Sequence, residues 1–102
     1  MMRLDGDVAF VTGGGGILGQ QFCKGLIEAG AKVAIVDISS EIAQAAAEKL
    51  GENAYPFCCD VSSKASVTAC VSDVCEKLGK IDILLNNAAT KTSDVRDFFT
   101  PV

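Results

Sequence analysis

The residues best placed to do chemistry lie in one short run, Val11-Thr12-Gly13-Gly14-Gly15-Gly16-Ile17-Leu18-Gly19. It follows an apolar segment, Val8-Ala9-Phe10-Val11, and leads into a helical pattern that starts near Ile17. A turn without side chains lets backbone approach a ligand closely, and a helix beginning there offers unpaired N–H groups and the positive end of its dipole to a phosphate. Gly14, Gly16 and Gly19 meet the G-x-G-x-x-G spacing of dinucleotide sites. The division of labour expected of them gives Gly13 and Gly14 the tight turn, Gly16 the bare surface for a pyrophosphate, and Gly19 the close packing of helix on sheet. A P-loop is excluded by residue type, because Gln20-Gln21 stands where that motif needs Lys followed by Ser or Thr.

An acidic group completes the pattern. Asp37 closes the next strand-like run, Val33-Ala34-Ile35-Val36-Asp37, at about the ~20-residue distance at which a carboxylate accepts hydrogen bonds from an adenosine ribose. The same charge repels a 2′-phosphate, and no Arg or Lys lies between Gly13 and Gly19 or in Ile38-Ser39-Ser40 to attract one. NAD is therefore the expected cofactor, with NADP disfavoured. Two further sites end later strands. Cys59-Asp60-Val61-Ser62 reads either as a ligand edge or, for Asp60, as a helix cap. Asn86-Asn87-Ala88-Ala89 offers amides able to tie neighbouring strand ends together, with small residues that leave room for a ribose or nicotinamide.

The elements that must position these residues alternate along the chain. Strands are expected at Val8–Thr12, Val33–Asp37, Ala54–Cys59 and Ile81–Asn86. Helices are expected from Ile17 to Glu28 (apolar stripe Leu18, Phe22, Leu26, Ala29), from Ser39 or Ser40 to Leu50 (Ile42, Ala45, Ala46, Leu50), and from Ser62 or Ser63 to Leu78 (Val67, Val71, Val74, Leu78). Gly30, Gly51 and Gly79 stop them. Pro56 places the third strand near a sheet edge. Nearly continuous apolar strands, each followed by a helix, imply an α/β fold: an open, doubly wound parallel sheet of β-α-β-α-β-α-β order, with ligand at the carboxyl ends of its strands.

Composition narrows the function classes. The 102 residues are 49% hydrophobic and 22% charged, the balance of a globular domain. A net charge of −4 argues against a nucleic-acid partner. No apolar run approaches the ~20 residues needed to cross a bilayer, and the N-terminus lacks the layout of a secretory signal. A cytoplasmic protein with no membrane partner is the expectation. The five cysteines lack metal-ligand spacing, and there is no histidine. They are expected to act as small hydrophobes in a reducing compartment, with Cys58 and Cys59 pointing to opposite faces.

With these sites placed, residues 4 to about 90 resemble the N-terminal half of a short-chain dehydrogenase/reductase. Thr12-Gly13-x-x-Gly16-x-x-Gly19 matches the spacing of the family's extended branch, whereas the commoner branch has its middle glycine at the position of Ile17. Cys59-Asp60-Val61 and Asn86-Asn87-Ala88-Ala89 resemble the commoner branch, which is favoured, although Ala89 replaces its usual Gly. The resemblance implies a Rossmann-type fold and a cofactor site made of Thr12, Gly13, Gly14, Gly16, Ile17, Leu18, Gly19, Asp37, Ile38, Asp60, Val61, Asn87, Ala88 and Ala89. Asp60 and Val61 would contact adenine. Asn87 would steady the central strand, with Thr12 bonding toward it. Residues 90–102 are similar to the start of the variable segment that precedes the substrate and dimer-forming helices.

The family's activity is hydride transfer between a nicotinamide cofactor and a hydroxyl or carbonyl substrate, here expected to be a sugar acid or polyol. Its proton transfer uses a Ser and a Tyr-x-x-x-Lys pair, in which the lysine lowers the phenol's pKa. The single tyrosine here, Tyr55, precedes Pro56-Phe57-Cys58-Cys59, so no lysine follows at the required distance. The expectation is a cofactor-binding half, truncated before its catalytic residues, inactive alone and part of a homo-oligomeric parent. The alternatives are a non-catalytic nucleotide-binding or interaction module, or a fragment of an extended-branch epimerase or dehydratase.

Overall fold

A computed structural model of the chain describes residues 4–86, in the order β1 (Val8–Thr12), α1 (Ile17–Glu28), β2 (Lys32–Asp37), α2 (Ser40–Leu50), β3 (Ala54–Cys58), α3 (Lys64–Leu78) and β4 (Ile83–Asn86). Asn87, Ala88, Ala89 and the 90–102 segment lie outside the described residues. The strands form one parallel sheet in the order β3-β2-β1-β4. This is the expected doubly wound arrangement, with β1 central and the glycine run at its carboxyl end.

Every residue of β1 is buried, as are Val33 to Val36 of β2, because helices cover both faces of these inner strands. On one face, Ala9, Val11, Val33 and Ile35 pack with Cys23 of α1 and with Ala43, Ala46 and Ala47 of α2. On the other, Val8, Phe10, Ala34 and Val36 pack with Val67, Cys70 and Val74 of α3. Alternating burial in β3 and β4 marks outer strands of this sheet. Pro56 sits opposite Ile35 on β3, where a missing N–H costs least, as its presence predicted.

Several boundaries and faces differ from the sequence expectation. β4 starts at Ile83 rather than Ile81: Asp82 still donates its N–H to the Val8 carbonyl of β1 at 2.9 Å, but the Val8 N–H is taken by the Asp82 carboxylate, at 3.0 Å, rather than by a main-chain carbonyl. The buried line of α1 runs through Gly19 and Cys23, leaving Leu18 and Phe22 exposed. In α2 it runs through Ala43, Ala46 and Ala47, with Ile42 exposed. Both helices approach the sheet closely over these small residues, so Leu18, Phe22 and Ile42 turn outward, while Leu26, Ile27 and Leu50 pack partly buried against the same core. In α3 the expected Val67 and Val74 are buried, joined by Cys70.

All five cysteines are free. Cys23, Cys59 and Cys70 are buried, as small hydrophobes would be, whereas Cys58 and Cys75 are exposed. Cys58 and its neighbour Cys59 thus face differently, as expected. Among the described residues no helix is long and apolar enough to cross a membrane, and no cluster of side chains is arranged to hold a metal.

Candidate functional site

The carboxyl ends of β1, β2 and β3 bring the glycine turn, Asp37 and Asp60 to one rim of the sheet. The turn leaves β1 through Gly13, whose φ of +67° lies in the left-handed region that suits glycine. It is tied down on the β2 side: the N–H groups of Gly13 and Gly14 both donate to the Val36 carbonyl, at 2.7 and 3.3 Å. Gln20 reaches back from α1 and donates its amide to the Gly15 carbonyl at 2.9 Å.

At Gly19 a Cβ would run into the Gly13 carbonyl oxygen and lie 2.8 Å from Gly14 Cα. Gly19 therefore seats the helix on the turn itself. The residue that lies directly over the sheet is Gly14, where a Cβ would be 3.1 Å from Ile35 Cγ2. Gly16 is exposed and extended at the N-cap of α1, with only the Gly13 oxygen near the direction a side chain would take.

The helix ends differ in a way that bears on ligands. Ser39 caps α2 by accepting the Ile42 N–H, and Ser63 caps α3 by accepting the Ser66 N–H, each at 3.2 Å. No side chain caps α1. Its first-turn N–H groups, at Ile17, Leu18 and Gly19, lack a capping oxygen, and the Ile17 and Leu18 side chains are 84% and 55% exposed. An anion placed at Gly16 would meet these donors and the positive helix end with no side chain to displace. The turn thus fits the pyrophosphate of a dinucleotide.

Asp37 closes β2, half-buried, with Oδ1 accepting the Ser39 N–H at 3.1 Å. Its carboxylate lies beside the glycine turn: a Cβ on Gly15 would be 3.0 Å from Oδ2. Ile38 follows, exposed, and its carbonyl accepts the Cys58 thiol at 3.3 Å. Together with the Cys59 N–H donated to the Asp37 carbonyl at 2.9 Å, this contact joins the loops after β2 and β3.

Asp60 does not cap α3. Its Oδ1 accepts both the Ser62 N–H, at 3.0 Å, and the Ser62 hydroxyl, at 2.6 Å, and these bonds hold its carboxyl below the usual carboxylate range. Its own N–H donates to Ser66 Oγ at 3.0 Å, fixing the loop against α3, while Val61 packs on the α3 side of the core.

Thr12, fully buried at the end of β1, donates its hydroxyl to Asn86 Oδ1 at 2.9 Å. The two residues are in register, so their side chains share a face. Asn86 thus adds a side-chain bond to the main-chain pairing of the first and fourth strands. Asn87, Ala88 and Ala89, the remaining site residues named from the sequence, lie outside the described residues. Sequence reasoning gave Gly15 no role of its own and Ser39 only that of a helix cap, yet both lie against the Asp37 carboxylate. One glycine among four gives no local signal of such a contact.

Comparison with known proteins decides the family. The short chain dehydrogenase family model matches residues 7–100. The chain belongs to the short-chain dehydrogenase family. It is similar to sorbitol dehydrogenase of Cereibacter sphaeroides, at 43% identity over 88 residues, covering 86% of this chain and 34% of that protein. It is also similar to zerumbone synthase of Zingiber zerumbet, at 42% identity, covering 94% of this chain and 38% of the relative.

Among solved structures, an NAD+-bound xylitol dehydrogenase superposes with a TM-score of 0.82 at 35% identity, covering 86% of this chain and 35% of the other. A 3-ketoacyl-(acyl-carrier-protein) reductase from Brucella melitensis complexed with NADH gives 0.77 at 39% identity, with coverages of 80% and 34%. This short-chain dehydrogenase sequence therefore spans about a third of the length of the relatives it matches.

Proposed function

We propose that this chain is the NAD-binding part of a short-chain dehydrogenase that moves hydride between a polyol-like hydroxyl substrate and nicotinamide. The observation that carries the reading is the Asp37 carboxylate at the end of β2, held by the Ser39 N–H beside the glycine turn. A carboxylate there accepts hydrogen bonds from both ribose hydroxyls and repels a phosphate on either. Gly13, Gly14, Gly16 and the N–H groups of Ile17, Leu18 and Gly19 hold the pyrophosphate. Ile38, Asp60 and Val61 border adenine, and Thr12 with Asn87, Ala88 and Ala89 lines the inner end. The bound cofactor supplies the hydride acceptor, while these residues bind and orient it.

The polyol class is supported by relatives named sorbitol dehydrogenase and D-threitol dehydrogenase, and by the xylitol dehydrogenase structure. The proton-transfer groups of the reaction are not among the residues of this site. Tyr55, the chain's one tyrosine, lies in the outer strand β3 with no lysine four residues on. We assign the chain cofactor binding without turnover of its own, in a cytoplasmic, homo-oligomeric parent.

The test is fluorescence titration of the 102-residue chain with NADH and with NADPH. NADH should bind at least about tenfold more tightly, the ~1.4 kcal/mol of one charge-assisted hydrogen bond. Asp37→Ser should abolish that preference. Equal binding of the two dinucleotides by the wild-type chain would contradict the assignment.

A further inference from the structure

The space beside Asp37 is enclosed by a ring of contacts that begins and ends at Gly15. Asp37 Oδ1 accepts the Ser39 N–H at 3.1 Å, and Ser39 Oγ accepts the Ile42 N–H at 3.2 Å. A Cβ on Gly15 would run into Ile42 Cγ2, lie 3.3 Å from the Ile42 carbonyl carbon, and stand 3.0 Å from Asp37 Oδ2. Gly15 itself is buried. Ile42 has little freedom to withdraw, since a β-branched side chain in a helix has one strongly preferred χ1 rotamer.

We propose that Gly15 is a positioning residue that sets the choice of NAD over NADP by keeping clear the space in which the Asp37 carboxylate stands. The inference rests on the NAD-binding reading above. A methyl group at position 15 does two separable things. Against Ile42 it pries the glycine turn from the first turn of α2, which costs stability. Against Asp37 Oδ2 it turns the carboxylate away from its present direction and strains the Oδ1 bond to Ser39. NADH then loses hydrogen bonds to its ribose, while NADPH, which is repelled by that carboxylate, loses nothing. A purely structural glycine would weaken both dinucleotides alike.

Removing Cγ2 separates the two effects, because Ile42 is exposed and its truncation leaves the Asp37–Ser39 bond in place. The experiment compares NADH and NADPH affinity, by fluorescence titration, for the wild-type chain, Ile42→Ala, Gly15→Ala and the double variant Gly15→Ala/Ile42→Ala. Ile42→Ala is expected to keep the wild-type preference. The double variant is expected to melt within a few degrees of Ile42→Ala, yet to show a preference for NADH at least about fivefold smaller. This comparison stands even where Gly15→Ala alone fails to fold.

A double variant that retains the full preference overturns the role of Gly15 and leaves the NAD reading intact. Ile42→Ala lowering the preference as far as the double variant would also overturn it, by moving the effect to Ile42. A wild-type chain with no preference for NADH overturns the NAD reading, and the inference with it.

Discussion

The Thr12 hydroxyl donates to Asn86 Oδ1 at 2.9 Å, joining the carboxyl ends of the first and fourth strands beside the glycine turn. Thr12 is fully buried at the point where β1 enters the glycine turn, whereas Asn86 is exposed. Thr12→Val keeps the shape and removes the donor. It should cost about 1 kcal/mol in urea unfolding, because the abandoned Asn86 amide can turn to water. Thr12→Ser, which keeps the hydroxyl, should recover most of that hydrogen bond. Thr12→Val as stable as wild type would show that the bond does not hold the strand ends together.

The two glycines inside α1 should respond in opposite directions to the same substitution. Alanine favours an exposed helix interior over glycine by up to about 1 kcal/mol. At Gly25 nothing lies within 4 Å of an added Cβ, so Gly25→Ala should stabilise by about 0.5–1 kcal/mol. At Gly19 the added Cβ runs into the Gly13 carbonyl and lies 2.8 Å from Gly14 Cα, both rigid backbone. Overpacking of about 1–3 kcal/mol there outweighs the propensity gain, and the turn is displaced. Gly19→Ala should unfold at lower denaturant and lose NADH binding. Equal shifts at the two positions would contradict the close seating of α1 on the turn.

Buried thiols make the fold sensitive to alkali. Burial pushes Cys23 up to about 11, and burial with the neighbouring Cys59 pushes Cys70 up to about 12, from an ordinary value of 9.0. Below pH 9 both states hold these protons, so the contribution to stability is complete. As pH rises above 9 the unfolded chain releases them first. The folded state then binds more protons, and stability falls through pH 11 to 12. Urea midpoints measured from pH 7 to 11 should decline above pH 9. Cys23→Ala should start lower, because it leaves a small cavity, yet decline less steeply. Parallel curves for the two proteins would rule out Cys23 as a source of the decline.

The parts of this molecule written in local sequence were legible. Glycines and serines mark where helices stop and start; local pattern allows Ser39 or Ser40 and Ser62 or Ser63 as caps, and Ser39 and Ser63 are the ones that cap. Pro56 marked the outer strand, and the glycine run, Asp37 and Asp60 do come to one end of the sheet. What local pattern did not carry was how closely helices approach. The spacing of Leu18 and Phe22 suggests the inner face of α1, but the close approach through Gly19 puts Cys23 on the buried line, with Leu26 and Ile27 partly buried against the same core. Gly15 is silent in sequence because its meaning depends on Ile42 and Asp37, brought to it by the fold. That Asn86 meets the Thr12 hydroxyl follows from strand register, which a run of two asparagines does not reveal.

The most direct test of the account is to record amide NMR spectra of the 15N-labelled chain during titration with NAD+. The account predicts that the largest shifts fall on residues 13–19, on Asp37 and Ile38, and on Asp60 and Val61, while the amides of Glu48, Lys49 and Lys77 stay in place. Shifts absent at saturating NAD+, or centred away from the glycine turn, would contradict it.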